Sequence, residues 1–306
     1  MKFQGGCVVL LLFVFNFVLA DILIFTRGVC VKVLGVSGKI VVGTTINLEE
    51  DPNSVKIEFN EIKETDFNGI EVGDSGTTPH SFNSFSNQSF SIGETADVMY
   101  HNISATMFNF TANLPTVNAT LVTSVYIFKE NGSVTVANET TNIKVGNVKF
   151  NIGMIGWRFC GSPGVNYSQG QVNEVGKYID LVLVITGKGS ASITSTGASD
   201  GDEYNLGGGA GIILSKKVQY DNKDWINMAA GYPTMTTTGV KQSFTFRFEK
   251  FNSSALYDPT VTVGGIDIGD SGNGTIIGGN GGIPLPSSTL FTFLAMSIFY
   301  VLFQIL

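Results

Sequence analysis

Phe244-Thr245-Phe246-Arg247-Phe248-Glu249 alternates aromatic and polar side chains at every step. A period of two places the three phenylalanines on one face and Thr245, Arg247 and Glu249 on the other, the pattern of a half-buried strand. Val55, Ile57 and Phe59 repeat it against Lys56, Glu58 and Asn60. Val148, Phe150, Ile152 and Met154 form a third ladder that runs on into Trp157, and Phe108, Phe110 and Ala112 share a face opposite Asn109. Further strands are expected at Ile40–Leu48, Ile179–Thr186, Gly211–Tyr220 and Val261–Val263. No long stretch has a helical period. Strands of this spacing, rich in Val, Ile, Thr and Phe and separated by glycine turns, predict an all-β fold, an antiparallel sandwich or jelly-roll-like ectodomain.

Between the ladders, turn chemistry sets the expectations. Lys129-Glu130-Asn131-Gly132 separates two β-rich runs between Ala119 and Ala137, and Asn-Gly there predicts a hairpin, because both residues tolerate positive φ. Gly187–Ser199 and Gly207–Gly211 read as loops, and Gly264–Gly282 as a flexible stalk. Gly69–Gly76 and Gly265–Gly272 share a short strand-plus-turn pattern, with no longer self-similarity around it.

Both ends carry apolar runs. Lys2 followed by Val8–Phe15 and Val18-Leu19-Ala20 predicts a signal peptide over 1–20, cut before Asp21. Thr289–Leu306 is uncharged; as a helix it would rise about 27 Å, slightly less than a hydrocarbon core. Upstream lie Gly278-Gly279-Asn280-Gly281-Gly282 and a short spacer, the order read by a GPI transamidase. Asn280 is the first choice for the attachment residue, Gly278 and Asn273 the alternatives, and 283–306 the removed propeptide. A transmembrane helix is the competing reading of the tail. An ectodomain over 21–263 then remains, as one unit or two; with the stalk it makes roughly 260 residues.

Nine Asn-x-Ser/Thr sequons begin at Asn87, Asn102, Asn109, Asn118, Asn131, Asn138, Asn166, Asn252 and Asn273, six of them in one short stretch. Their density predicts a glycosylated chain, each used asparagine facing solvent. With the signal removed, Cys30 and Cys160 are the remaining cysteines. They form either one disulfide, the simplest outcome in an oxidising compartment, or two separate buried thiols.

A net charge of −7 argues against nucleic acid as a partner, which needs a basic patch. The expected partners are a membrane, reached through the lipid anchor, and extracellular matrix or cell-surface proteins and glycans. Gly-Asp-Ser-Gly occurs twice, yet the only histidines are His80 and His101, both after Ser75, and no base element accompanies the serine. Cys160 with a histidine could make a thiol nucleophile, but no local signature surrounds it. No catalytic residue and no cofactor is therefore expected. The one metal candidate is Ca²⁺ at Asp200, Asp202 and Asn205 in a glycine-rich loop with Glu203, although the EF-hand register fails at Gly211. Trp225 and Tyr232 could form an aromatic platform for carbohydrate.

The segment from Phe108 to Gly187 contains Phe-Asn-Phe-Thr-Ala-Asn, Leu-Val-Thr-Ser-Val-Tyr-Ile-Phe, Val-Lys-Phe-Asn-Ile-Gly, Trp157-Arg158-Phe159-Cys160-Gly161 and Ile179–Ile185. It resembles secreted cnidarian proteins of the coral skeletal organic matrix type. That resemblance implies a matrix or cell-surface role and carries no catalytic residue across. The modest acidity departs from the Asp-rich members of such a matrix and points away from direct mineral nucleation. The leading expectation is a non-enzymatic, GPI-anchored glycoprotein with a matrix-organising or adhesion role. A cell-surface receptor for carbohydrate or protein ligands is the alternative, and a secreted hydrolase ranks third.

Overall fold

A computed structural model describes residues 21–74, 78–83, 85, 88–136, 139–161, 176–189, 192–198, 201–207, 209–262 and 275–278. Two large sheets dominate it, and every strand pairing among these residues is antiparallel. The first sheet has nine strands. Its main path runs Thr234–Thr238, Lys241–Glu249, Tyr178–Thr186, Val55–Thr65, Ile40–Gly43, Val29–Val33, Ile22–Thr26 and Thr275–Gly278. The second has twelve, with Ile103–Leu114, Ala119–Phe128 and Val148–Ile155 side by side at its centre. The sheets stack as a sandwich, and neither closes into a barrel.

The alternating ladders supply the two inner faces. Phe244, Phe246 and Phe248 are fully buried beside Ile179, Leu181 and Leu183 on the first sheet. Phe108, Phe110, Phe150 and Ile152 answer them from the second, in one continuous core. Ring contacts cross the gap: Phe246 to Tyr257 at 4.7 Å, Phe244 to Tyr204 at 5.0 Å and Phe59 to Phe110 at 6.4 Å between centroids. Phe85 and Phe90, from the segment that links the sheets, wedge beside Phe59 at 6.0 and 6.3 Å. Each such ring removes a large apolar area from water, so truncating one to alanine in this layer typically costs about 3–5 kcal/mol.

Outward faces carry the charges. Arg247 lies between the rings of Tyr178 and Tyr232, with its Cζ 4.9 and 4.7 Å from their centroids. It also donates to Asp180 through Nε at 2.7 Å and Nη2 at 2.6 Å. Its polar place in the Phe-Thr-Phe-Arg-Phe ladder is therefore structural as well as solvating.

Three expectations from the sequence are corrected. Ala119–Phe128 does not fold back on Gly132–Val136; it pairs with Ile103–Leu114 and Val148–Ile155, while Gly132–Val136 pairs with Glu139–Ile143 as a separate hairpin. Gly132 is there for space, since a Cβ would lie 2.6 Å from Ile103 Cδ1. The Asn131 side chain accepts from the Val145 amide at 2.9 Å instead of closing a two-residue turn. Ser192–Ala198, read as part of a loop, is a strand paired with Gly201–Gly207. Within the expected stalk, Thr275–Gly278 adds to the edge of the first sheet along Ile22–Thr26.

A tight turn closes Lys217–Tyr220 onto Trp225–Asn227, with Asp221 and Asn222 both at positive φ (53° and 55°). The Asp221 carboxylate accepts the amides of Asn252, Ser253 and Ser254 at 3.0, 2.6 and 3.2 Å. Burial acts to raise its pKa, but these amides outweigh it and hold the group at about 2. Because the folded value lies below the ordinary carboxylate value of roughly 3.9, the contribution is complete above that pH and disappears as pH falls towards about 2. Asp221→Asn keeps an acceptor and tolerates the backbone but loses the charge; it should lower stability by about 1 kcal/mol at pH 7. In urea titrations the gap between wild type and variant should shrink between pH 4 and pH 2.

Candidate functional site

The Gly132–Val136 and Glu139–Ile143 hairpin lies over the outer face of the second sheet. Its Val134 and Ile143 join Ile103, Ala105 and Phe128 in a small second core, closed by Tyr100 and Tyr126. The Tyr100 ring sits 4.6 Å from Tyr126 and 5.8 Å from Phe128. Where the hairpin stops, a groove opens between Val134, Val136 and Thr141 on one side and Lys149, Thr260 and Asp258 on the other, with Trp225, Ile213 and Ser215 completing its wall.

The floor of this groove is polar and sealed. Lys149 and Asp258 are 4% and 7% exposed, an unusual depth for opposite charges on an outer sheet face. The Lys149 ammonium lies 2.9 Å from Asp258 Oδ1 and donates to Thr260 Oγ1 at 3.1 Å. The ion pair thus answers the buried Asp258 carboxylate at Oδ1. Tyr100 Oη stands 3.5 Å from Asp258 Oδ2. Burial, and then the charge of Asp258, push the Tyr100 hydroxyl far above its usual range, so it remains a neutral donor. A half-buried indole beside a charged pair and hydroxyls suits a polar ligand with one apolar face.

A second constellation is internal. Glu64, His80 and Cys160 are each at most 1% exposed. His80 Nδ1 is 2.8 Å from Glu64 Oε2 and 3.3 Å from Cys160 Sγ. Trp157 Nε1 donates to Glu64 Oε2 at 2.9 Å, and the Cys160 amide donates to Oε1 at 2.7 Å. Gly176 adjoins the carboxylate so closely that a Cβ there would meet Oε1 at 1.5 Å. As a nucleophile dyad with an orienting acid the geometry fails. Such a triad needs one imidazole nitrogen on the thiol and the other on the carboxylate; here Nδ1 is the nearer nitrogen to both, and nothing in the cluster reaches solvent.

The expected disulfide is corrected. Cys30 and Cys160 are both buried and are not joined to each other by a disulfide. In Val29–Val33 the valines face the core, so Cys30 faces the other side of the first sheet, packed with Val41 and Leu48. Cys160 sits on the inner side beside Glu64. The sheet separates them. Burial, then Asp51, raise the Cys30 thiol to about 11, which makes it an inert packing group.

The calcium candidate does not assemble either. Asp202 and Asn205 belong to the strand Gly201–Gly207, not to a loop, and three residues apart they face opposite sides of it. Asp202 pairs with Lys216 at 3.0 Å, and Asn205 Oδ1 accepts the Gly207 amide at 2.8 Å. Asp200 lies outside the described residues, as do Ser75, the 1–20 segment, Asn280, and the sequons at Asn87, Asn138, Asn166 and Asn273. Trp225 and Tyr232 form no shared platform: Tyr232 stacks under Arg247 of the first sheet, while Trp225 walls the groove on the second.

Among the remaining sequons, Asn102, Asn118, Asn131 and Asn252 are exposed, the first two at positive φ in turns. Asn109 differs. It lies mid-sheet opposite Ser124, and its Oδ1 is buried without a hydrogen-bond partner. Among the described residues, no helix is long and apolar enough to cross a membrane.

The described residues thus form a two-sheet antiparallel sandwich with a polar groove on one outer face and an enclosed Glu64–His80–Cys160 cluster within. A family model described as acidic skeletal organic matrix protein matches residues 22–203 and 195–299, and the chain belongs to that family. It is thus an extracellular protein of the organic matrix of a mineralised skeleton, in keeping with the resemblance carried by Phe108–Gly187. Peptide mapping of the secreted protein should find glycan on Asn102, Asn118, Asn131 and Asn252, with Asn109 bare.

Proposed function

We propose that this chain is a non-enzymatic, lipid-tethered glycoprotein that organises skeletal matrix by holding a glycan in the groove beneath its hairpin. The supporting observation is the groove itself. Trp225 offers an apolar face of the kind that packs on a sugar ring, and the Lys149–Asp258–Thr260 floor offers one cation, one carboxylate and a hydroxyl to orient its hydroxyls. A formal charge of −7 spread over the chain is too mild to template mineral alone, which favours recognition of matrix polymers over nucleation.

Glycan-array screening of the secreted protein should identify a ligand, and Trp225→Ala should weaken it about three- to tenfold, in line with the worth of one aromatic contact. Lys149→Met should weaken it as well and also lower stability, because it leaves the buried Asp258 carboxylate without its cation. Absence of any glycan ligand would remove the groove from the proposal and leave a purely structural scaffold.

The tether is supported by the small residues Gly278–Gly282 and the uncharged stretch Thr289–Leu306. Phosphatidylinositol-specific phospholipase C should release the protein from intact cells, and no peptide from 283–306 should be recovered from the mature form. Retention of that peptide together with resistance to the enzyme would make the tail a transmembrane segment instead.

A further inference from the structure

We infer that Glu64, His80 and Cys160 form a binding site for one borderline-soft divalent metal ion, with Zn²⁺ the expected occupant. The three come from distant parts of the chain: Glu64 from the inner face of Val55–Thr65, His80 directly after the short strand Thr78–Pro79, and Cys160 from the segment beyond Trp157. One ligand atom from each lies within 4.8 Å of the other two. Each is a different kind of donor, and together they make the oxygen, nitrogen and sulfur set that Zn²⁺ takes. Calcium does not suit it, since Ca²⁺ needs six or more oxygens.

The geometry carries the inference. His80 Nδ1 faces Glu64 Oε2 at 2.8 Å and Cys160 Sγ at 3.3 Å. One nitrogen holds either one proton or one lone pair, so it serves one of those neighbours at a time. A cation at the common point serves all three together. The carboxylate is already aimed for that role: the Cys160 amide fixes Oε1 and the Trp157 indole takes one lone pair of Oε2, leaving the second for a metal. Outer contacts of this kind orient the ligands of protein metal sites. The backbone is fixed as well, since Glu64 N donates to His80 O at 2.9 Å and His80 N donates to Val72 O at 3.0 Å.

Charge balance agrees. A sealed carboxylate is costly unless its charge is answered. A divalent ion with one carboxylate and one thiolate is neutral overall. Binding releases the Cys160 thiol proton and any proton on Nδ1, so affinity should fall as pH drops through the range where these ligands protonate. The thiol that the disulfide reading assigned to Cys30 thus has a role of its own, while Cys30, on the far side of the sheet, has none in the site.

The test uses the full-length protein purified from secreting cells, loaded with Zn²⁺ or Co²⁺. Elemental analysis should give one equivalent of zinc for wild type and for Cys30→Ala. The Co²⁺ form should show a sulfur-to-cobalt charge-transfer band, the signature of thiolate ligation. Cys160→Ser should abolish the charge-transfer band and weaken binding about 100-fold or more; His80→Gln should weaken it comparably. Wild type that stays metal-free after loading, with both thiols titratable on unfolding, overturns the site and leaves a buried glutamate–histidine pair. Equal zinc content in Cys160→Ser, or a charge-transfer band lost in Cys30→Ala instead, overturns it too. Should the variants misfold, the wild-type Co²⁺ spectrum decides alone, because a sulfur band in a protein with two thiols of such different settings requires Cys160 or Cys30, and thiol alkylation under native conditions tells which is shielded by metal.

Discussion

Stacking two twisted sheets requires that their apolar faces meet in phase, and in this chain phenylalanine sets the phase. Phe59, Phe244, Phe246 and Phe248 line one inner face, Phe108, Phe110 and Phe150 the other, with Tyr204 and Tyr257 reaching across to touch them. A one-residue slip in any of these strands would turn its rings to solvent and its charges inward. The outer faces are then free to differ, and they do: the first carries the Arg247–Asp180 pair, the second a hairpin and a groove. Among the described residues, chemistry is concentrated on those outer faces and in the Glu64–His80–Cys160 cluster of the interior.

That cluster exists because of a bulge. Val55, Ile57 and Phe59 point inward, and strict alternation would next turn Glu61, Lys63 and Thr65 inward. The register with Tyr178–Thr186 shifts between Val182 and Leu183, opposite Asn60, so that Ile62 and Glu64 face the core instead. One extra residue therefore moves a carboxylate from water to the interior, where Trp157, His80 and Cys160 meet it. The pattern reading identifies the strand correctly and cannot identify its inward carboxylate, because a bulge leaves no mark in a hydrophobic period. The pairing of Cys160 with His80 was open to view only as a combination of residue types, eighty residues apart.

What was legible divides along the same physical line. Ladders such as Phe244–Phe248 and Val148–Met154 show in sequence because burial on one face imposes a period of two over several residues. The partner of each strand does not, as Asn131–Gly132 illustrates. Its glycine signals a turn by composition, yet here it makes room for Ile103, and the two runs beside it go to different sheets. The same holds for Asp202 and Asn205, whose acidic, glycine-rich surroundings look like a loop until pairing with Ala210–Leu214 makes them a strand. Local composition reports what a residue can do; long-range pairing decides which of those things it does.

The two polar sites use opposite strategies for burying charge. Lys149 and Asp258 answer each other as an ion pair beneath the groove, whose walls carry Trp225 and the hairpin residues Val134, Val136 and Thr141. Glu64 lies behind a full sheet, where no diffusing sugar can enter and every lone pair must be answered by the protein or by an ion small enough to be enclosed. For a family of matrix proteins this separation is useful. Recognition of polymers needs an accessible, exchangeable surface, whereas an enclosed polar cluster can act only on the fold that surrounds it. A metal ion at the proposed site would join the strand Val55–Thr65, the turn at His80 and the segment after Trp157 through one internal point while leaving both outer faces untouched.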